Sequence, residues 1–321
     1  MSWPPTGARW SPTPDVVVTD IALSTEGGRT IGAAPAAPAA RPPRNLAWLG
    51  LVPFFAFLFL FLIVPALSVF SEALHNKDGS RGFSALKDAF TGQNLDAFKF
   101  TAGFSALAAF VGVVIGALFA YAAATATRPK WLRNVASSFS GVAANMGGIL
   151  LAFAFLSLLG KQGVMTKILT FLGWDLYKGG FGFNTITGLV MVYSYFNIPL
   201  MFLITLPAID GLKQSWREAS SNLGGTSWTY WRRVGLPVLA PSLLGGFLLL
   251  FANSFSAYAT ASALTDSSKI VALRLGFFLG GDVNTGEDAV GFGIAAWMII
   301  VMAVAMALYW ALRKRAERWQ Q

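Results

Sequence analysis

The sequence predicts an all-α, polytopic membrane protein with six transmembrane helices, and three observations carry that prediction. Hydrophobic residues make up 55% of the 321-residue chain, and the mean hydropathy is +0.57. Only 12% of the residues are charged, about half the share in a soluble domain. Six stretches lack Asp, Glu, Lys and Arg and exceed the roughly 20 residues that cross a bilayer. These stretches cover residues 46–71, 100–127, 134–160, 179–209, 234–265 and 289–312.

The charges are distributed so that they orient the chain. With the N-terminus inside, the inside segments hold the whole net charge of +9, whereas the outside segments sum to zero. Because Lys and Arg accumulate on the cytoplasmic side of membrane proteins, both termini are expected in the cytoplasm. Membrane orientation accounts for the basic pI of 9.9, and no nucleic-acid partner is needed. The inside segments are 1–45, 128–133, 210–233 and 313–321.

Residues 1–44 differ in composition from the rest of the chain. Pro, Ala, Gly, Ser and Thr dominate, and such a segment buries too little apolar surface to offset its ordering entropy. We expect a disordered cytoplasmic tail without a role of its own; the alternative is that the valines at 16–18, or Arg41 and Arg44, dock on a partner. The segment lacks an early apolar core with a small-residue cleavage site, so we do not expect a secretory signal.

Several kinds of chemistry find no support in the sequence. The chain has no Cys, and its one histidine, His75, cannot build a typical zinc site. No glycine-rich loop is followed by Lys-Ser/Thr, so ATP hydrolysis by a P-loop is not expected. The middle of each stretch also lacks the carboxylate that proton-coupled carriers usually keep there. We therefore expect no catalytic site, no metal and no cofactor in this chain.

The loop between the fourth and fifth stretches predicts a short helix. Ser215 and Glu218 have the S-x-x-E spacing of a capping box, which starts a helix after Ser215 and continues it to about Leu223. Gly224 and Gly225 can take the left-handed conformation that ends a helix. Taken alone, this pattern also fits an ordinary amphipathic cytoplasmic turn in which Glu218 is only a cap.

The same loop resembles the coupling loop of a known transporter family. It reads Glu218-Ala219-Ser220-Ser221-Asn222-Leu223-Gly224, and after nine residues Val234-Gly235-Leu236-Pro237. This spacing resembles the EAA loop in the membrane permease subunits of bacterial ABC importers that use a binding protein. Ser220 replaces the second Ala, and Val234 replaces the usual Ile. Pro237 is expected near the first turn of the next membrane helix, where its missing N–H costs little.

The resemblance covers residues 45–315 and implies the type I importer permease fold in a bacterial plasma membrane. It implies a coupling loop at about 212–236 and a short basic tail at 316–321. A second permease subunit, either another copy or a homologous chain, would complete the pathway. Two ATPase subunits would bind ATP and Mg, and an extracellular or lipid-anchored binding protein would deliver the solute. The residues implied in ATPase coupling are Trp216, Arg217, Glu218, Ala219, Ser220, Asn222, Leu223, Gly224, Trp228, Leu236 and Pro237.

Polar side chains inside the apolar stretches are the candidates for the translocation path. They are Asn145 in the third stretch, Tyr193 and Asn197 in the fourth, and Asn253 and Tyr258 in the fifth. A buried amide or hydroxyl must find a hydrogen-bond partner, so these groups either bond between helices or line a wet path. We take the second interpretation as the functional hypothesis and keep the first as its alternative.

Two further patterns concern helix geometry. Gly112 and Gly116 form a GxxxG in the second stretch, which predicts close helix packing rather than a site. Pro199 and Pro207 in the fourth stretch would free backbone carbonyls and bend the helix, either as packing geometry or as a hinge.

The transported solute is only weakly indicated. The run over 252–260 is more similar to permeases for polyamines, aminophosphonates, thiamine and iron than to those for disaccharides. A polyamine or a similar small polar or charged organic solute is therefore favoured, and a sugar is the alternative. Because no stretch offers an acid, a polyamine would bind through cation–π contacts or be recognised by the binding protein alone. A different class, a stand-alone secondary carrier or a membrane enzyme, stays open, and co-purification of an ATPase would distinguish it.

Overall fold

The computed structural model describes residues 51–75, 80–126, 131–265, 267–280 and 288–317. Contacts divide the chain into two units, Met1–Val52 and Pro53–Gln321, and only the last two residues of the first unit are described. The predictions for the tail over 1–44 therefore lie outside the described residues. Most of the predicted basic tail lies outside them as well.

The described residues form helices and no strand, apart from an isolated bridge between His75 and Arg81. In chain order the helices are α1 (Val52–Ala73), α2 (Ser84–Asp88), α3 (Gly92–Thr125), α4 (Trp131–Asn145), α5 (Ile149–Leu159), α6 (Val164–Phe171), α7 (Ile186–Asp210), α8 (Gln214–Asn222), α9 (Ser227–Ser256), α10 (Tyr258–Leu264), α11 (Val271–Gly280) and α12 (Asp288–Glu317).

Six helical stretches of this part are long and apolar enough to cross a membrane, as the sequence predicts. Their bounds differ from the predicted ones at several ends; the second, for instance, begins at Gly92 rather than near residue 100. The stretches are Val52–Ala73, Gly92–Thr125, Ile149–Phe171, Ile186–Asp210, Ser227–Ser256 and Asp288–Ala311.

Helix α7 lies at the centre of the described bundle and packs against α3, α4 and α9. It is the most buried of the six membrane stretches. Pro199 and Pro207 both lie inside it, and the helix continues across both without interruption. The central position of α7 means that polar groups along it meet neighbouring helices on several sides.

Small residues let α3 approach α7 closely. A Cβ added at Gly116 would lie 2.7 Å from the Ile198 carbonyl oxygen and 2.7 Å from Met201 Cβ. A Cβ added at Gly112 would lie 2.9 Å from Asn197 Cβ. Because these distances leave no room for a side chain, the predicted close packing of the GxxxG is confirmed.

Two stretches that the sequence predicts as continuous are broken helices. In the third, α4 ends at Asn145 and α5 begins at Ile149, with Gly148 between them at φ +82. Glycine adopts this conformation without a Cβ clash. In the fifth, Ala257 is extended and separates α9 from α10. The uncharged stretches 134–160 and 234–265 thus each contain a backbone break, which the sequence does not mark because a break inside an apolar run needs no charge.

A π turn precedes Pro237 within α9. It covers Trp231–Gly235, and the Leu236 N–H donates to the carbonyl oxygen of Trp231, five residues earlier. A proline lacks an N–H and crowds the carbonyl four residues before it, and the wider turn relieves that crowding. Pro237 thus begins the regular α-helical part, as predicted, but α9 itself starts ten residues earlier. The same arrangement precedes Pro65 in α1.

Candidate functional site

Helix α8 is the predicted loop helix, but a capping box does not start it. Its N-cap residue is Lys213, whose side chain makes no capping bond. Ser215 lies inside the helix, and Glu218 Oε1 accepts a hydrogen bond from Gln214 Nε2 at 2.8 Å. The predicted capping box of Ser215 and Glu218 was therefore wrong, because the extended residue that starts the helix lies two positions earlier than predicted.

The end of α8 follows the prediction. Gly224 has φ +76, which a residue with a side chain rarely adopts. The Gly224 N–H donates to the Ser221 carbonyl oxygen at 2.9 Å, and the Gly225 N–H donates to that of Ser220 at 2.8 Å. This pair of bonds is a Schellman motif, which satisfies the last carbonyls of a helix. Of the two glycines, only Gly224 takes the left-handed conformation.

The polar face of α8 borders a cavity of about 730 Å³ beneath the ends of the membrane helices. Gln214, Arg217, Glu218 and Ser221, which recur at helical spacing, all line it. Asp210, the last residue of α7, lines the same cavity. Helix α8 is therefore held at a distance from the bundle and can shift without displacing core side chains.

An ion pair ties the membrane helices together above that cavity. Arg133 on α4 donates to the Asp210 carboxylate at the end of α7. The two side chains are about 40% exposed, so water screens the pair and its contribution to stability is small. Its role in the fold is to fix where α7 ends, three residues before α8 begins.

The opposite face of α8 is apolar and exposed in the part of the chain that the structure describes. Trp216, Ala219 and Leu223 line a groove of about 540 Å³, together with Val234 and Val238 of α9. Leu223 is 89% exposed and Trp216 is 37% exposed. Exposed apolar surface at this density is typical of a protein–protein contact.

The predicted ATPase-coupling residues share a common environment. None of them is buried: nearly all are exposed, and Ser220 is half-buried. Trp228 at the start of α9 is 69% exposed, and Leu236 is 46% exposed. The loop thus presents two tryptophans and a leucine on the surface, at the point where the chain passes from α7 to α9.

The predicted path residues divide into two groups. Tyr193 and Asn197 are fully buried. Tyr193 Oη donates to the Ala257 carbonyl oxygen at 3.2 Å, and Asn197 Nδ2 donates to Ser254 Oγ at 3.0 Å. Both side chains face α9 and the break that follows it, and the placement towards a cavity beside a partner permease stays a prediction. They bond between helices, which is the alternative interpretation.

The other three path residues are exposed in this chain. Asn145 is the last residue of α4, directly before the first break, and Asn253 lies in the last turn of α9, four positions before the break at Ala257. Asn145 Nδ2 donates back to the Gly141 carbonyl oxygen at 2.8 Å, which leaves its amide oxygen on the surface. Tyr258 is 50% exposed and is the first residue after the break at Ala257.

The two helix breaks meet each other, which the sequence did not indicate. The Gly148 N–H donates to Thr260 Oγ1 at 2.9 Å, across 112 positions of sequence. Because Tyr193 binds the Ala257 carbonyl at the second break, three membrane helices join at one polar junction. Neither Gly148 nor Thr260 carries a local pattern that would have selected it.

Six apolar helical stretches in the described residues are those of a multi-pass membrane protein. Residues 112–318 match the family described as "Binding-protein-dependent transport system inner membrane component", and this match covers more than half of the chain. The chain belongs to that family. The recognition made from the loop motif is thereby confirmed at the level of the family.

Relatives and solved structures agree with this membership. Over 254 residues the chain is 23% identical to a putative ferric transport system permease protein, FbpB 1, of Haemophilus influenzae, covering 78% of this chain and 38% of that relative. Over 133 residues it is 29% identical to a spermidine/putrescine transport system permease protein PotC homolog of Mycoplasma pneumoniae, covering 41% of this chain and 44% of the relative. The chain thus spans less than half the length of either relative.

Among solved structures, a bacterial ABC transporter involved in the import of the acidic polysaccharide alginate has a similar chain. The TM-score is 0.63 at 17% identity, covering 85% of this chain and 95% of that chain. At this identity the similarity shows the fold, which is that of an ABC importer permease. The predicted six-helix permease fold is confirmed, whereas the cytoplasmic placement of the termini stays a prediction.

Proposed function

We propose that this permease subunit forms one half of a translocation pathway and that α8 receives the stroke of a separate ATPase. The observation that carries the proposal is the apolar face of α8. A nine-residue helix without a buried residue exposes Trp216 and Leu223 beside a groove, although the loop has to lie in water. Docking on a partner would bury these side chains, and each fully buried one contributes about 1.5–3 kcal/mol.

The connections of α8 support a mechanical role. Helix α7 ends three residues before α8, and α9 begins four residues after α8 ends. A displacement of α8 therefore acts on α7 and α9 together. The Asn197–Ser254 bond joins those two helices within the membrane, so a tilt of one carries the other. Such a coupled tilt is what alternating access requires of a permease.

The proposed solute is a small polar or charged organic molecule delivered by an extracellular binding protein. The relative named for spermidine and putrescine fits this class, whereas the one named for ferric transport does not, so the relatives leave the solute open. The exposed groups beside the helix breaks, Asn145, Asn253 and Tyr258, offer amides and a hydroxyl rather than charges. Few and weak contacts of this kind suit a path that must release the solute as well as bind it.

The experiment that tests coupling compares two charge insertions, one at the C-cap residue of α8 and one inside the helix. Leu223→Asp places a carboxylate in the apolar groove, whereas Ser221→Asp places one on the polar face that borders the cavity. We expect Leu223→Asp to abolish co-purification of the ATPase in detergent and to abolish uptake. Ser221→Asp should retain the ATPase. Retention of the ATPase and of uptake by Leu223→Asp would overturn the assignment of α8.

A further inference from the structure

A cavity of about 500 Å³ lies at the end of the bundle opposite to α8. Gln93 at the start of α3 lines it, and α3 is 34 residues or about 50 Å long, with its other end at the loop side. The lining is rich in hydroxyl groups and contains one guanidinium. Its polar members are Gln93, Tyr258, Ser262, Thr265, Ser267, Ser268 and Arg274.

Arg274 on α11 is held in place by neutral groups among the described residues. Its Nε donates to Asn94 Oδ1 at 2.8 Å, and its Nη1 donates to the Ser268 carbonyl oxygen at 3.3 Å. A guanidinium has five N–H donors, so three remain for another acceptor. In the part of the chain that the structure describes, Arg274 forms no ion pair, and no carboxylate lines the cavity.

We propose that this cavity binds the oxyanion group of the transported solute, so that the importer carries a small organic anion bearing a carboxylate or a phosphate-type group. The inference rests on the proposed permease function. A fixed guanidinium beside several hydroxyls matches the flat oxygen pairs of such groups, which accept two parallel N–H bonds. A polycation such as a polyamine would instead meet a like charge at this position.

The cavity lies beside the second helix break. Tyr258 lines it, and the backbone break at Ala257 directly precedes Tyr258. The Tyr258 ring lies against α11, where a Cβ added at Gly276 would approach its Cε2 to 2.6 Å. A solute held by Arg274 therefore lies beside the residue that leads to the two helix breaks, which places the cavity at the entrance of the path.

The competing interpretation makes Arg274 a structural strut that ties α11 to α3 through Asn94. Asn94→Ala removes that bond and keeps the charge, whereas Arg274→Gln removes the charge. Arg274→Lys keeps the charge but lacks the two parallel N–H groups of a guanidinium. It provides a second test in case the glutamine variant does not fold. Asp266→Asn removes the acid that lies between Thr265 and Ser267 in the sequence.

The test uses the full complex purified with its ATPase and measures the shift in melting temperature with increasing inorganic phosphate or citrate. Sodium chloride at matched ionic strength and spermidine serve as reference titrations. We expect phosphate or citrate to stabilise the wild type and Asp266→Asn. Asn94→Ala loosens the guanidinium but keeps its charge, so it should weaken the apparent affinity less than Arg274→Gln does. Arg274→Gln should weaken the apparent affinity for the anion by about tenfold or more, as expected when a hydrogen bond to a charged group is lost. The apparent affinity of Arg274→Lys should lie between those of the wild type and Arg274→Gln.

Three outcomes would overturn the proposal: no shift with either anion in the wild type, an equal shift in Arg274→Gln, or stabilisation by spermidine that Asp266→Asn abolishes. Loss of the shift in Asn94→Ala to the same extent as in Arg274→Gln would identify Arg274 as a strut and would also overturn it. Each of these results leaves co-purification of the ATPase untouched, so failure of this inference is distinguishable from failure of the permease function.

Discussion

Gly116 sets how closely α3 and α7 can approach. The atoms nearest to an added Cβ are the Ile198 carbonyl oxygen and Met201 Cβ, both of which move only with the backbone of α7. Gly116→Val should therefore lower the free energy of unfolding by about 1–3 kcal/mol through overpacking. The measurement is the melting temperature of the purified protein in detergent.

Gly103 provides the matched control on the same helix. A Cβ added there meets no atom within 4 Å, so Gly103→Val changes the side chain without filling the seam. We expect its melting temperature to stay close to that of the wild type. Equal destabilisation by both variants would show that helix propensity, rather than the approach of α7, determines the effect.

Gly224 is needed for the conformation that ends α8. At φ +76 a β-branched residue is strained, and the left-handed conformation costs roughly 1–2 kcal/mol for a residue with a side chain. Gly224→Val should displace the end of α8 and abolish transport and ATPase stimulation, while the protein still inserts. Gly211→Val is the control, because Gly211 has φ −72. Normal uptake by Gly224→Val would make the loop a connector only.

The two helix breaks are features of the fold that the sequence does not predict. Spans can be predicted because a charge inside a bilayer is costly, so six uncharged runs imply six crossings. The break at Gly148 and the break at Ala257 leave the composition unchanged, so neither has a local sign in the sequence. The hydrogen bond between Gly148 and Thr260 joins residues 112 positions apart, and it cannot be predicted from one sequence.

In the candidate site, too, some features were predictable from the sequence and others were not. The loop helix and its glycine end were predictable because helix termini have local chemistry. The burial of Tyr193 and Asn197 was not, because a polar residue in an apolar run looks the same whether it bonds to a neighbouring helix or faces water. Arg274 was overlooked for a related reason, since its partner Asn94 lies 180 positions away.

The junction between α5 and α10 depends on one hydroxyl. Thr260 is 3% exposed, and its Oγ1 accepts the Gly148 N–H. Thr260→Val keeps the shape and leaves that N–H without a partner, which should cost about 1–3 kcal/mol of unfolding free energy. Thr205→Val is the control, because Thr205 is equally buried and its hydroxyl has no hydrogen-bond partner among the described residues.

We expect Thr205→Val to be neutral or stabilising, since it replaces an unsatisfied hydroxyl by a methyl group of the same size. Thermal unfolding of both variants in detergent measures the difference. If the two variants have the same melting temperature, the hydroxyl of Thr260 does not hold the helix breaks together.

The complete transporter should contain two permease subunits and two ATPases. One chain offers a single α8, which can engage a single ATPase. In addition, the apolar window of α1 has no buried residue, so the described bundle does not cover this helix. Mass measurement of the purified, active complex decides the stoichiometry. An active particle with one copy of this chain and no second permease would contradict the expectation.

The direction of the path can be read by cysteine substitution, because the native chain contains no Cys. Single cysteines at Asn145, Asn253 and Tyr258 should react with a water-soluble thiol reagent, since all three side chains are exposed in this chain. If α7 and α9 tilt with α8, the solvent access of these positions changes when nucleotide traps the ATPase, and their reaction rates should change with it.

Cysteines at Tyr193 and Asn197 are the internal control for that measurement. Both side chains are fully buried and bonded to α9 or to the break after it, so both positions should stay unreactive in every state. A tilt of α7 and α9 as one unit preserves these bonds while it moves the exposed positions. Reaction at Asn197 in one nucleotide state would mean that α7 and α9 separate during transport. Unreactive cysteines at Asn145, Asn253 and Tyr258 in all states would assign these side chains to lipid or to a permanent contact with the partner permease, and the path would have to run elsewhere.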